Sequence, residues 1–143
     1  MNFPAPKAMP SRELNQLYDP VRLRAEKLIK LCADAGIPII VTQTFRTHKY
    51  QDELYARGRT MKGKIVTNAK AGTSMHEFRV AFDVCINIKG KCYDAGLLAK
   101  VGKIGESIGL TWGGNFKGFI DMPHFQYTGK YTQQEIRAGK IPT

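Results

Sequence analysis

From Asp19 onward the apolar residues Leu23, Leu28, Leu31, Cys32 and Ala35 fall at helical spacing, and the stripe stops at Gly36. With Asp19 as N-cap and Pro20 at the first helical position, this predicts a first helix with a core-facing stripe. Ile37-Pro38-Ile39-Ile40-Val41 is then a short β-branched run that reads as a buried strand, delivering Thr44-Phe45-Arg46 to its far end. Thr47 can cap a second helix from His48 to Arg57, closed by Gly58, with Tyr50, Leu54 and Tyr55 on one face. Residues 59 to 75 carry little periodicity and read as a long loop, a kind of segment that in a compact domain is functional or disordered. From Arg79 to Ile86 the pattern switches to alternation: Val80, Phe82, Val84 and Ile86 face one way, Ala81, Asp83 and Cys85 the other. Asn87 to Lys91 reads as a hairpin turn. A third helix follows from Asp94 to Ser107, with Leu97, Leu98, Val101 and Ile104 at helical spacing and Gly102 and Gly105 weakening it. Trp112 to Asn115 begins another loop, His124 to Tyr127 a last strand, and the Thr132-x-x-Glu135 capping box a small terminal helix. These elements predict an α+β fold, a small antiparallel sheet flanked by helices, in a single domain over 1–143 with a proline-containing lead over 1–18 and no separate second domain.

Composition adds a direction of charge. The 143 residues are 43% hydrophobic, and 22 Lys plus Arg against 12 Asp plus Glu leave a formal net charge of +10, which favours an anionic partner. No recognised nucleic-acid motif or stacking-aromatic signature accompanies that charge, so nucleic acid is not the expected partner. The prolines among the first twenty residues interrupt any secretory core, and no run is apolar enough to span a bilayer. Synthesis and folding in a cytoplasm without a signal peptide are therefore expected, with no stable membrane insertion. Cys32, Cys85 and Cys92 lack metal-binding spacing, and in a reducing compartment buried free thiols are the favoured state, a Cys85–Cys92 bridge the alternative.

The candidate chemistry sits in two stretches, Ser74 to Asp83 and Asp121-Met122-Pro123-His124. His76, Asp83 and His124 are two imidazoles and a carboxylate, ligand types that hold a catalytic Zn²⁺ with a fourth position open for water. Asp121 is left over as a base. Extended at ~3.3 Å per residue, the steps from His76 to Asp83 would span roughly 23 Å, so the chain must bend just after His76 for both to reach one ion. His48, in the first turn of its helix, is expected to be solvated. The alternative for Asp121 is a turn carboxylate ahead of Pro123, and the base is the favoured reading because it must stand beside the ion without ligating it.

Ser74-x-His76 followed by Ala81-x-Asp83 resembles the S-x-H-x-x-G-x-A-x-D signature of the zinc D,D-peptidases, and Asp121-x-Pro123-His124-Phe125 resembles their second motif. Thr44-Phe45-Arg46-Thr47, Gln51 with Leu54-Tyr55 and Gly58-Arg59-Thr60, Trp112-Gly113-Gly114 and Arg137-Ala138-Gly139-Lys140 extend the likeness, most closely to L-alanyl-D-glutamate endopeptidases of phage endolysins and bacterial wall hydrolases. The chain departs from the pattern at Arg79, where the signature has Gly, and at Phe116, where many relatives have Trp. The resemblance implies a hedgehog/D,D-peptidase-like zinc peptidase fold and one Zn²⁺ held by His76, Asp83 and His124. It further implies Asp121 and Arg46 as catalytic residues and Arg46 and Ser74 as substrate contacts. The implied substrate is the peptidoglycan stem peptide, cut at its L-alanyl-D-glutamate amide by a monomer acting on wall or periplasmic peptidoglycan. For a phage endolysin serving host lysis, a holin-type permeabilising partner would give it access. The competing readings are a D-alanyl-D-alanine carboxypeptidase or dipeptidase of the same fold and a non-catalytic zinc-bearing binding module.

Overall fold

In the computed structural model, which describes residues 3–143, the alternating run around Asp83 becomes a central strand. In chain order the elements are α1 (Asp19–Asp34), β1 (Ile39–Gln43), α2 (His48–Ala56), β2 (Ala81–Ile86), α3 (Ala95–Ser107), β3 (Thr111–Trp112), β4 (His124–Gln126) and α4 (Gln133–Arg137). Short 3₁₀ turns at Leu14–Gln16, Met75–Phe78 and Gly113–Asn115 join them. The strands form one antiparallel sheet in the order β1-β2-β4-β3, as the α+β reading expects. No helix among the described residues is long and apolar enough to cross a membrane.

One face of the sheet carries Phe82, Val84 and Ile86 into a core shared with Val21, Ala25, Leu28 and Cys32 of α1 and Leu98 and Val101 of α3. Burying such aliphatic and aromatic side chains contributes about 1.5–3 kcal/mol each. The α1 stripe is therefore not quite the one expected: Leu23 is 56% exposed, and Val21 and Ala25 take the inward positions. Asp19 is the first helical residue and Tyr18 occupies the cap position, one residue earlier than predicted. β1 begins two residues later than expected and lies at the sheet edge, leaving Ile40 41% exposed. The turn after β2 does not return as a strand; the chain passes directly into α3. Ile86 N–H donates to Cys92 O across that turn, and Cys85 and Cys92 are joined in a disulfide with Cα atoms 4.7 Å apart. The favoured expectation of free thiols thus fails for this pair, because the turn folds Cys92 back beside β2. Cys32 is free and buried, and burial pushes its thiol pKa up to about 11.

Candidate metal centre

The sheet itself aligns half of the site. Across adjacent strands Gln43 of β1, Asp83 of β2 and His124 of β4 are register partners, so their side chains form a row on the face away from the core. An irregularity between Val41 and Gln43 shifts the β1 register by one residue and places Gln43 opposite Asp83. His76 arrives from a separate element, the 3₁₀ turn Met75–Phe78. Ser74 caps that turn with its hydroxyl accepting from the His76 N–H, and the turn ends at Arg79 in a left-handed conformation. This is the bend that the His76–Asp83 spacing requires.

Each imidazole has one nitrogen committed elsewhere. His76 Nδ1–H donates to the Thr44 carbonyl at 2.7 Å, and His124 Nε2–H donates to Gln126 Oε1 at 2.8 Å. The remaining nitrogens, His76 Nε2 and His124 Nδ1, stand 3.1 and 3.2 Å from the same oxygen, Asp83 Oδ1. All three ligand atoms lie within 4.8 Å of one another. Tetrahedral zinc bonds of about 2.0–2.2 Å set neighbouring ligand atoms roughly 3.3–3.6 Å apart, so the two imidazole–carboxylate separations are close to those of a shared Zn²⁺, and two imidazoles with one carboxylate are a donor set that suits it. The second hydrogen bond of each imidazole fixes its tautomer, as metal-binding histidines require.

Electrostatics agree with a cation site. Burial lowers the His76 pKa and opposes the proton on His124, where the Asp83 carboxylate prevails and raises the pKa. Burial works against the Asp83 charge, but the two imidazoles override it and hold that carboxyl well below its ordinary range. Asp121 stands outside the trio, its Oδ2 3.9 Å from His124 Nδ1 and its side chain 37% exposed. Burial and then the Asp83 charge raise its pKa, the direction a proton-accepting carboxylate needs. Arg46 donates Nε–H to Gln43 and Nη1–H to Gln51, which leaves Nη2 3.6 Å from Asp83, beyond hydrogen-bond length. Burial lowers its pKa, with Asp83 opposing.

The trio and Asp121 open into a cleft of about 610 Å³ whose lining includes Arg46, Ser74, Phe116 and Arg137. Phe116 packs on the His124 ring with centroids 5.5 Å apart. The long loop over 59–75 forms one wall, and side chains hold it in place. Gln51 Nε2–H donates to Ala69 O, Arg59 to Thr67 O and Arg137 to Thr73 O. Glu77 was missed in the sequence: its buried carboxylate accepts from the N–H groups of Gly72 and Ser74 and from His48 Nδ1 at 2.6 Å. Ser74-x-x-Glu77 is a capping box, and that spacing was the available signal. His48 is 65% exposed but bonded to Glu77, so it is not simply solvated.

Comparison with known proteins places these residues in context. The family described as D-alanyl-D-alanine carboxypeptidase matches residues 67–127, which include all three ligand candidates and Asp121. The peptidoglycan L-alanyl-D-glutamate endopeptidase CwlK of Bacillus subtilis (strain 168) is 37% identical over 123 residues, 78% of this chain and 74% of that protein. The L-alanyl-D-glutamate peptidase of Listeria phage A118 is 29% identical over 125 residues, 82% of this chain but 40% of its own length. Among solved structures, the vancomycin-resistance D,D-pentapeptidase VanY, as an E175A mutant in complex with Zn(II), superposes with a TM-score of 0.61 at 14% identity. The match covers 88% of this chain and 80% of that one.

Proposed function

Because the chain belongs to the family of D-alanyl-D-alanine carboxypeptidase-like peptidases that includes the L-alanyl-D-glutamate endopeptidases, we propose that it is a zinc-dependent hydrolase of peptidoglycan stem peptides. The bond cut is the amide between L-alanine and D-glutamate. The convergence of His76 Nε2, Asp83 Oδ1 and His124 Nδ1 on one point beside the unbonded Asp121 carries this reading. The likeness to CwlK supports the choice of bond, the likeness to the phage A118 enzyme supports a role as a phage endolysin in host lysis, and the zinc of VanY supports the choice of metal. The enzyme would then be made in the host cytoplasm and reach the wall through a membrane lesion that a holin-type partner opens.

His76, Asp83 and His124 would hold the ion, which when bound would supply Lewis-acid polarisation of the scissile carbonyl and lower the pKa of water to about 7. The protein does the rest. Asp121, its pKa raised, takes the proton of the attacking water and returns it to the leaving amine of D-glutamate. Arg46, locked by Gln43 and Gln51, presents its free Nη2 edge to the negative charge that develops on the carbonyl oxygen. Ser74 caps the His76 turn and lines the cleft, where its hydroxyl can also meet the peptide.

The test is mass spectrometry of purified wall digested with and without chelator. New D-glutamate amines that disappear with chelator are expected. Release of D-alanine instead would assign the D,D-carboxypeptidase activity, and an unchanged wall would leave a zinc-bearing binding module.

A further inference from the structure

Position 79 is where this chain carries arginine in place of the signature glycine. It is also the only non-glycine among the described residues with a left-handed backbone, at φ 62°. A β-carbon is disfavoured in that conformation, so contacts of the arginine itself must hold it there. They run to the N-terminal segment and to the strand end that segment covers. Arg79 Nη1–H donates to the Gln16 carbonyl at 3.2 Å and to Gln16 Oε1 at 2.7 Å. The guanidinium lies between two rings, 4.0 Å from the Phe3 centroid and 3.8 Å from that of Phe45. Gln16 is fully buried and donates in turn to the Pro4 carbonyl, while the Tyr18 N–H donates to Arg79 O.

The same segment grips the other support of His76. Ser11 N–H donates to Phe45 O, Thr44 N–H to Ser11 O, and the Thr44 hydroxyl to Glu13 O. The Thr44 carbonyl is the acceptor that fixes His76 Nδ1, and the Arg46 N–H donates to His76 O. Residues 3–18 thus hold both the strand end that orients the imidazole and the last residue of the turn that carries it. None of them lines the cleft.

We propose that Arg79 is a positioning residue. By strapping segment 3–18 across the back of the site, it keeps the Thr44 carbonyl and the Met75–Phe78 turn in the geometry that aims His76 Nε2 at the ion. The proposal rests on His76 being a zinc ligand, and its test separates the two claims.

Arg79→Gly and Arg79→Ala both cut the strap, but only the glycine variant relieves the left-handed strain. Thermal melts of the metal-free proteins should therefore rank Gly above Ala. Chelator competition should nonetheless show zinc affinity falling in both by about tenfold, the lower end of what loss of support behind a metal ligand costs. Gln16→Met, which keeps the volume and removes the acceptor, should weaken zinc in the same way, and Arg79→Lys should recover part of the loss. Cobalt-substituted Arg79→Gly should show an altered d–d absorption spectrum. In the metal-free state, amide exchange at Thr44 and Arg46 should accelerate in Arg79→Gly relative to the parent. Parent-like zinc affinity in Arg79→Gly, or affinities that simply follow melting temperature, would overturn the proposal. So would unchanged exchange at Thr44 and Arg46. If the parent itself binds no zinc, the metal reading fails, and the exchange comparison still decides whether Arg79 holds Thr44 in place.

Discussion

On the proposed reading, Asp121 separates binding the ion from using it. Its carboxylate lies outside the three-atom cluster, so Asp121→Ala is expected to retain stoichiometric zinc and fail to hydrolyse purified peptidoglycan; metal analysis beside a wall-turbidity assay reads both. Its raised pKa has a consequence for stability whose sign follows from proton linkage. A carboxyl whose folded pKa lies above its unfolded value binds more protons folded than unfolded, so ionising it destabilises the fold as pH rises through that interval. In chelator-treated protein, Asp121→Asn should melt above the parent at neutral pH, and the advantage should vanish below the unfolded Asp pKa, about 3.9. Equal melting curves at neutral pH would contradict the environment assigned to this carboxyl. Arg46 tests the oxyanion role: Arg46→Ala should lower turnover by ~3–4 kcal/mol of barrier, the cost of losing a comparable donor, with zinc still bound. The clustering of His76, Asp83 and His124 was legible because the two short stretches that carry them match the spacing of the zinc D,D-peptidase motifs. Glu77 was harder to read, because its capping-box spacing from Ser74 stands beside a stretch that reads as loop, where no helical turn is expected to need a cap.

At the level of elements, close approach decides what periodicity cannot. Gly102 and Gly105 weaken α3 by propensity, which is how they read in the sequence. In the fold they are the positions where the helix meets aromatic rings: a β-carbon at 102 would overlap the Trp112 indole, and one at 105 would sit 2.6 Å from Phe125 Cε1. Gly102→Ala should therefore destabilise by ~1–3 kcal/mol, since overpacking outweighs the better helix propensity of alanine. A rise in melting temperature would show that the indole has room to move. The same contacts explain why β3 escaped notice. Its two residues are too few for a period, and Trp112 is placed by α3 and by its Nε1–H bond to the Met122 carbonyl. β2, by contrast, was legible from Ala81 to Ile86, because core on one face and site on the other impose alternation, although the pattern read from Arg79 begins two residues before the strand. A reducing compartment favours free Cys85 and Cys92, but the turn that bonds Ile86 N–H to Cys92 O brings the two sulfurs together in a disulfide.

For the whole molecule, the net charge of +10 acquires a location. Between Glu53 and Glu77 the chain carries Arg57, Arg59, Lys62, Lys64 and Lys70 and no acid, and this segment supplies one wall of the cleft. The wall is ordered by bonds to Gln51, Glu77 and Arg137, yet Lys62 and Lys64 take part in no ion pair among the described residues. A stem peptide bearing carboxylates should meet a field that guides it before contact. Such guidance is screened by salt, because the Debye length shrinks from about 30 Å at 0.01 M to about 8 Å at 0.15 M. kcat/KM on wall fragments should thus fall severalfold across that range while kcat holds nearly constant, since the buried donors at the centre are screened far less than the rim. Replacing Lys62 and Lys64 with glutamine should flatten the salt profile and leave kcat unchanged. A parent enzyme indifferent to salt would show that the basic wall serves no role in encounter, and a fall confined to kcat would place the sensitive charges at the reacting centre instead.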